Sequence, residues 1–319
     1  MNELEEFLGT NIKALGIRFS LVGLLPSAIL VLFILVHYWS GAPAKSPDLA
    51  IVFSHINALD VKKVIFLVLA ILVFSLIIHP FQLSFLRFLE GYWGNSCLSG
   101  IISRPFRWVH KRHRQKLETA QTCRHEPTEK DKQDAAAAAF RLVRFFPNEE
   151  RLLPTSLGNV LRAAEDRAGA RYGLDAVVVW PRLYSIMPDR ITAILDGQRN
   201  QIDLCARFCL VFLVAALISA AFLYRLQWWW LGVPLATLLL SWLSYRGAIA
   251  AALSYGEMIQ TAVDLYRFDL LQALHLPLPP DRISEKEFNE KLCFFLRQGK
   301  PMNFTYEHPP SKTEEKVER

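Results

Sequence analysis

Charge is scarce over four long stretches of this 319-residue chain, residues 17–39, 64–86, 205–224 and 230–253. Each is close to the ~20 residues that a helix needs to cross the hydrocarbon of a bilayer. Four such runs exclude an ordinary water-soluble protein. Motifs are missing too: the chain has no G-x-S-x-G, P-loop, G-x-G-x-x-G, H-E-x-x-H or paired C-x-x-C. Their absence argues against the hydrolase and nucleotide chemistry those patterns support. Cysteine is sparse. Cys97, Cys123, Cys205, Cys209 and Cys293 fall on the predicted cytoplasmic side or at its membrane edge, where thiols stay reduced.

What is present is mostly apolar: 52% hydrophobic residues and a mean hydropathy of +0.21, despite 36 Lys+Arg. Those facts agree only if the charges gather between the apolar runs. From residue 87 to residue 203 there are 19 Lys/Arg, whereas residues 40–60 hold only Lys45 and the third-to-fourth connection only Arg225. The positive-inside rule then places both termini and the long loop in the cytoplasm. Ala42-Pro43-Ala44 imitates a signal-cleavage site. The apolar run before it exceeds the ~7–15 residues of a signal core, so the first helix is expected to be retained.

The predicted fold is mainly α: four transmembrane helices in two pairs, long cytosolic helical extensions and a small cytosolic α(+β) subdomain. Residues 1–100 hold an amphipathic helix (2–15) and the first pair, with Pro26 and Pro80 bending its helices. Residues 101–134 are a basic juxtamembrane segment followed by a flexible linker over 117–134. Residues 135–188 are the subdomain, with helices over 135–146 and 156–169. Ala176-Val-Val-Val-Trp180 reads there as a strand stopped by Pro181, with residues 303–306 its candidate partner. Residues 189–276 form the second hairpin with its stalks, and residues 277–319 a C-terminal helix and tail.

The basic segment has six Lys/Arg and no acid over residues 104–116: Arg104, Arg107, Lys111, Arg112, Arg114 and Lys116. Anionic headgroups attract such residues at ~1 kcal/mol each near the surface, and Phe106 and Trp108 suit the interface. Lipid is therefore the expected ligand, and no nucleic acid. His110, His113, Cys123 and His125 imitate a metal site, but the surrounding cations repel a metal. No metal or cofactor is expected. Cys205 and Cys209, one turn apart, read as helix-packing residues. Trp228, Trp229 and Trp230 read as an interfacial anchor.

A second constellation lies on the last two apolar helices. Arg199, Asp203 and Arg207 repeat every four residues, Arg246 sits inside the fourth run, and Glu257 and Asp264 follow below it. Helical spacing permits Arg199–Asp203 and Asp203–Arg207 pairs. Either these charges pair between the third and fourth helices or face the cytosol, or they line a water-filled vestibule in an oligomer.

Residues 153–166, running on through 171–183, and residues 264–279 carry a resemblance. Their Leu-Pro-Thr-Ser-Leu-Gly-Asn, Arg-Tyr-Gly-Leu-Asp and Leu-Pro-Leu-Pro segments, with the hairpin between them, resemble a group of uncharacterised bacterial multi-spanning membrane proteins. The resemblance covers roughly the second half of the chain. It implies a bacterial cytoplasmic (inner) membrane and transfers no activity. The leading expectation is a non-enzymatic, homo-oligomeric ion channel or membrane-permeabilising protein. The alternatives are a membrane adaptor that recruits a cytosolic protein, and a lipid-modifying enzyme with a dispersed site.

Overall fold

The computed structural model describes residues 24–94, 97–122, 128–299 and 303–308. Among these residues the chain forms helices and no strand. The helices are α1 (Leu25–Trp39), α2 (Leu49–Asn57), α3 (Val61–Glu90), α4 (Cys97–Gln121), α5 (Glu129–Phe145), α6 (Ser156–Arg167), α7 (Ala176–Ile186), α8 (Asp189–Leu223), α9 (Gly232–Ala273) and α10 (Arg282–Gln298). Among the described residues, two helical segments are long and apolar enough to cross a membrane, Asp189–Leu223 and Trp228–Ala273. The expected helix over 2–15 and the start of the first apolar run lie outside the described residues.

The chain divides into two compact units, Met1–Trp93 with Asn200–Ala251, and Gly94–Arg199 with Ala252–Arg319. In the first unit, side-chain oxygens set the helix starts. Asp48 accepts the Ala50 N–H and Asp60 the Lys63 N–H, each at 2.8 Å, which satisfies donors left over in the first turn. Leu30, Val211 and Ala215 are buried together, with Phe33, Phe74 and Val214 packed around them. Small residues bring α8 and α9 close. A Cβ at Gly247 would stand 3.3 Å from the Cys205 sulfur, and the Ser241 hydroxyl donates to the Cys209 carbonyl at 2.9 Å. Both cysteines therefore sit in helix packing, as their spacing suggested.

The second unit has its own core, in which Val179 and Leu183 of α7 pack with Leu195, Ile259, Val263 and Leu270. The Ala-Val-Val-Val-Trp segment is the start of α7 rather than a strand, and Pro181 lies inside that helix. The Asp175 carboxylate caps it by accepting the Val177 N–H at 3.0 Å. Ala176, Val179 and Leu183 then fall on one buried face, a 3.6-residue period that outweighs local β-propensity. Nor do residues 303–306 form a strand. Phe304 instead meets Phe288 and Phe295 edge-on, at 5.9 and 5.3 Å between ring centres. The predicted α(+β) subdomain thus has helices and connecting turns, and no strand, among its described residues.

Much of the predicted flexible linker is helical as well. α4 continues to Gln121 and α5 begins at Glu129. A reciprocal cap fixes that start: Thr128 Oγ1 accepts the Asp131 N–H at 3.2 Å, and the Asp131 carboxylate accepts the Thr128 N–H at 2.9 Å. α4 and α5 pack on each other.

Candidate functional site

The six basic residues on α4 divide by what they touch. Lys111 pairs with Glu149, and Arg114 reaches Glu118 at 2.9 Å and the Pro147 carbonyl at 2.8 Å. These two hold the turn that follows α5. The Lys111 bond and charge keep the Glu149 carboxyl below the ordinary carboxylate range. Arg107 donates to Ser103 Oγ at 2.6 Å, and the Arg112 guanidinium lies 4.3 Å from the centre of the Trp108 ring. Arg104, Arg112 and Lys116 are exposed. His110 faces the other way, donating to the Pro154 carbonyl, and burial pushes its imidazole below the usual value. Its ring stands 6.3 Å from that of Phe146, so it serves packing in this structure; Cys123 and His125 lie outside the described residues.

The six stripe residues divide between the two units. Asp203, Arg207 and Arg246 belong to the first, and Arg199, Glu257 and Asp264 to the second. Glu257 pairs with Arg144 of α5. Asp264 accepts a hydrogen bond from the Tyr172 hydroxyl; burial first and this carboxylate second push the phenol upward. Arg199 lies within electrostatic reach of Glu165, whose carboxyl burial pushes upward against Arg151, Arg162 and Arg199.

In the first unit, Arg207 borders an apolar cavity of about 210 Å³ formed with Pro26, Leu30, Phe74, Phe81 and Val211. Arg246 is exposed on α9, its guanidinium 6.0 Å from the Trp242 ring.

Sequence reasoning missed two arrangements in the second unit. One is an arginine pair. Arg144 lies over Phe140 at 4.7 Å, and Arg167 is lowered from the ordinary arginine range by burial and then by the Arg144 charge, with Glu257 opposing. Gly256 lets α9 approach α6 here, because a Cβ there would meet the Ala164 Cβ at 2.5 Å. The signal available was the isolated glycine inside a long helical pattern.

The other is a groove on α10. Ala170, Arg171, Arg282, Ile283, Lys286, Glu287 and Glu290 line an open concavity of about 560 Å³, and a shallower one continues past Glu290 to Lys291 and Phe294. Ile283 is 75% exposed and Phe294 42%. Beside the groove the backbone before α7 closely approaches α10. Gly173 has φ +73°, and a Cβ there would lie 2.4 Å from the Lys286 carbonyl oxygen. Asn289 donates to the Tyr172 carbonyl at 2.8 Å, and Arg297 pairs with Asp175. Chemically the groove offers two apolar side chains separated by charges of both signs, which suits a polypeptide segment better than a small reactant. No family model matches the chain, and comparison with curated proteins and with solved structures finds no significant match to either.

Proposed function

We propose that this protein is a non-enzymatic membrane anchor and adaptor: its first unit resides in a bilayer, and its second unit recruits a protein partner in the cytoplasm. The observation that carries the reading is the groove on α10, with Ile283 and Phe294 at its ends and Arg282, Lys286, Glu287 and Glu290 between them. The engagement of Glu257 by Arg144 and of Asp264 by Tyr172 supports it too, because two charges required for a continuous pore lining serve the packing of the second unit instead.

Four membrane helices are part of this proposal. α3 is 30 residues long, about 45 Å at ~1.5 Å per residue, and Ile65, Phe66, Leu69, Leu76 and Ile77 are all exposed along it. A lipid environment removes the cost of presenting such side chains to water. The positive-inside rule favours cytoplasmic termini, and the resemblance noted above favours a bacterial inner membrane.

The second reading, a homo-oligomeric ion-conducting protein, keeps one observation of its own. Arg246 is exposed on an apolar helix beside the exposed Trp242 and Leu243, where an oligomer would place it against a lumen and bias the pore toward anions.

The deciding experiment uses full-length protein. Affinity purification after in-cell cross-linking should recover a stoichiometric partner from wild type and lose it from Ile283→Glu and Phe294→Glu variants that fold normally. Ion flux in reconstituted liposomes, altered in selectivity by Arg246→Ala and unaffected by the groove variants, would replace the adaptor with the channel.

A further inference from the structure

We propose that α4 lies along an anionic lipid surface, using one face that is apolar at its first half and cationic at its second. At 3.6 residues per turn, Ile101, Pro105, Val109, Arg112 and Lys116 fall within about 80° of one another. All five are exposed. Ile102 and Trp108, 55% and 54% exposed, flank this arc. The opposite face is the packed one, with Ser103 buried and His110, Arg114 and Leu117 half-buried. The exposed arc is therefore not the side that holds the helix in the second unit.

The occupant follows from charge and shape. No acid occurs between Arg104 and Leu117, and of the six cations two, Lys111 and Arg114, are committed to the turn after α5. Arg104, Arg112 and Lys116 remain at the surface. Isoleucines, a valine and a tryptophan beside them have nothing to gain from a phosphate backbone, but together with cations they match a headgroup layer over acyl chains. Arg112 over the Trp108 ring places a cation and an amphipathic aromatic at the same depth, the arrangement expected at a membrane–water interface. The proposal rests on the membrane residence argued above and is independent of the groove on α10.

The test uses the full chain in nanodiscs of neutral phosphatidylcholine, or of phosphatidylcholine with phosphatidylglycerol, each with brominated acyl chains. The Trp108 signal is isolated as the difference between wild type and Trp108→Phe. The expected result is that bromolipid quenches this signal at least twofold more in the anionic discs, and that Arg112→Gln with Lys116→Gln abolishes the excess. Equal quenching in both lipids overturns the anionic specificity. A Trp108 signal open to aqueous iodide and untouched by bromolipid overturns the lipid contact. Protection from both quenchers assigns the face to a protein or a second copy, and overturns it equally. A chain that does not enter nanodiscs at all overturns the membrane residence and this inference with it.

Discussion

Arg144 of α5 pairs with Glu257 of α9 while the face of its guanidinium covers the Phe140 ring. That one side chain ties a helix far back in the sequence to the middle of the longest helix, next to a second arginine, Arg167. The Arg144 side chain is 22% exposed and the Glu257 side chain 53%, so the pair is worth about 1 kcal/mol at most after solvent screening. Glu257→Gln is expected to lower stability by that order. In a double-mutant cycle with Arg144→Gln, by thermal unfolding in detergent, the two losses should fall short of additive. Strict additivity would mean that the contact contributes nothing.

Gly256 and Gly173 are both close-approach glycines, and they fail differently when substituted. Gly256→Ala collides with the Ala164 Cβ and should cost about 1–3 kcal/mol as overpacking. Ala164→Gly should restore most of it. Gly173→Ala meets a carbonyl oxygen of Lys286 and also holds a positive φ, so trimming a neighbouring side chain should give no rescue. Unfolding midpoints of the single and paired variants check both.

Asn159 is fully buried, and its side chain closes on one residue from both sides. It accepts the Leu153 N–H at 2.7 Å and donates to the Leu153 carbonyl at 3.0 Å. Asn159→Leu has the same branching but is bulkier and makes no hydrogen bond, and should destabilise by about 2–3 kcal/mol, because two buried backbone groups lose their bonds. Asn159→Asp keeps the acceptor and loses the donor. Chemical denaturation should rank wild type first and both variants well below it.

His110 provides a pH dependence with a definite sign. Its folded-state value is depressed, with burial the main cause, so the unfolded chain takes up the proton first as pH falls. The stability associated with neutral His110 is present above about pH 6.5 and is lost as pH falls through the lower folded value. Unfolding midpoints followed downward from pH 7 should therefore decline more steeply for wild type than for His110→Asn. Parallel slopes would remove His110 as the cause.

Much of the helical framework was legible because its signals are local. Proline-free sequence carries α8 from Asp189 to Leu223, and Asp281 caps α10 through the Ile283 and Ser284 amides. The misreading at Ala176–Trp180 came from weighing β-branched residues over period: three valines look like strand, whereas Ala176, Val179 and Leu183 at helical spacing decide the burial. The stripe illustrates a different limit. The spacing of Arg199, Asp203 and Arg207 along one helix was readable. That Glu257 meets Arg144 and Asp264 meets Tyr172 was not, since each partner comes from a distant element brought near only by the core. The groove on α10 depends on Gly173 lying under Lys286, a contact with no trace in either segment alone.

The Asp175 backbone amide donates to the sulfur of Cys293 at 3.2 Å, and Cys293 is buried on the inner face of α10 with its thiol pushed upward by that burial. A thiolate so disfavoured reacts only during excursions that lift α10 away from the loop before α7. Cys293 is therefore a built-in clock. The rate at which a small alkylating reagent labels it, read by peptide mass, measures how often this helix undocks without any engineered probe. An occupant of the groove that holds α10 down would slow that clock.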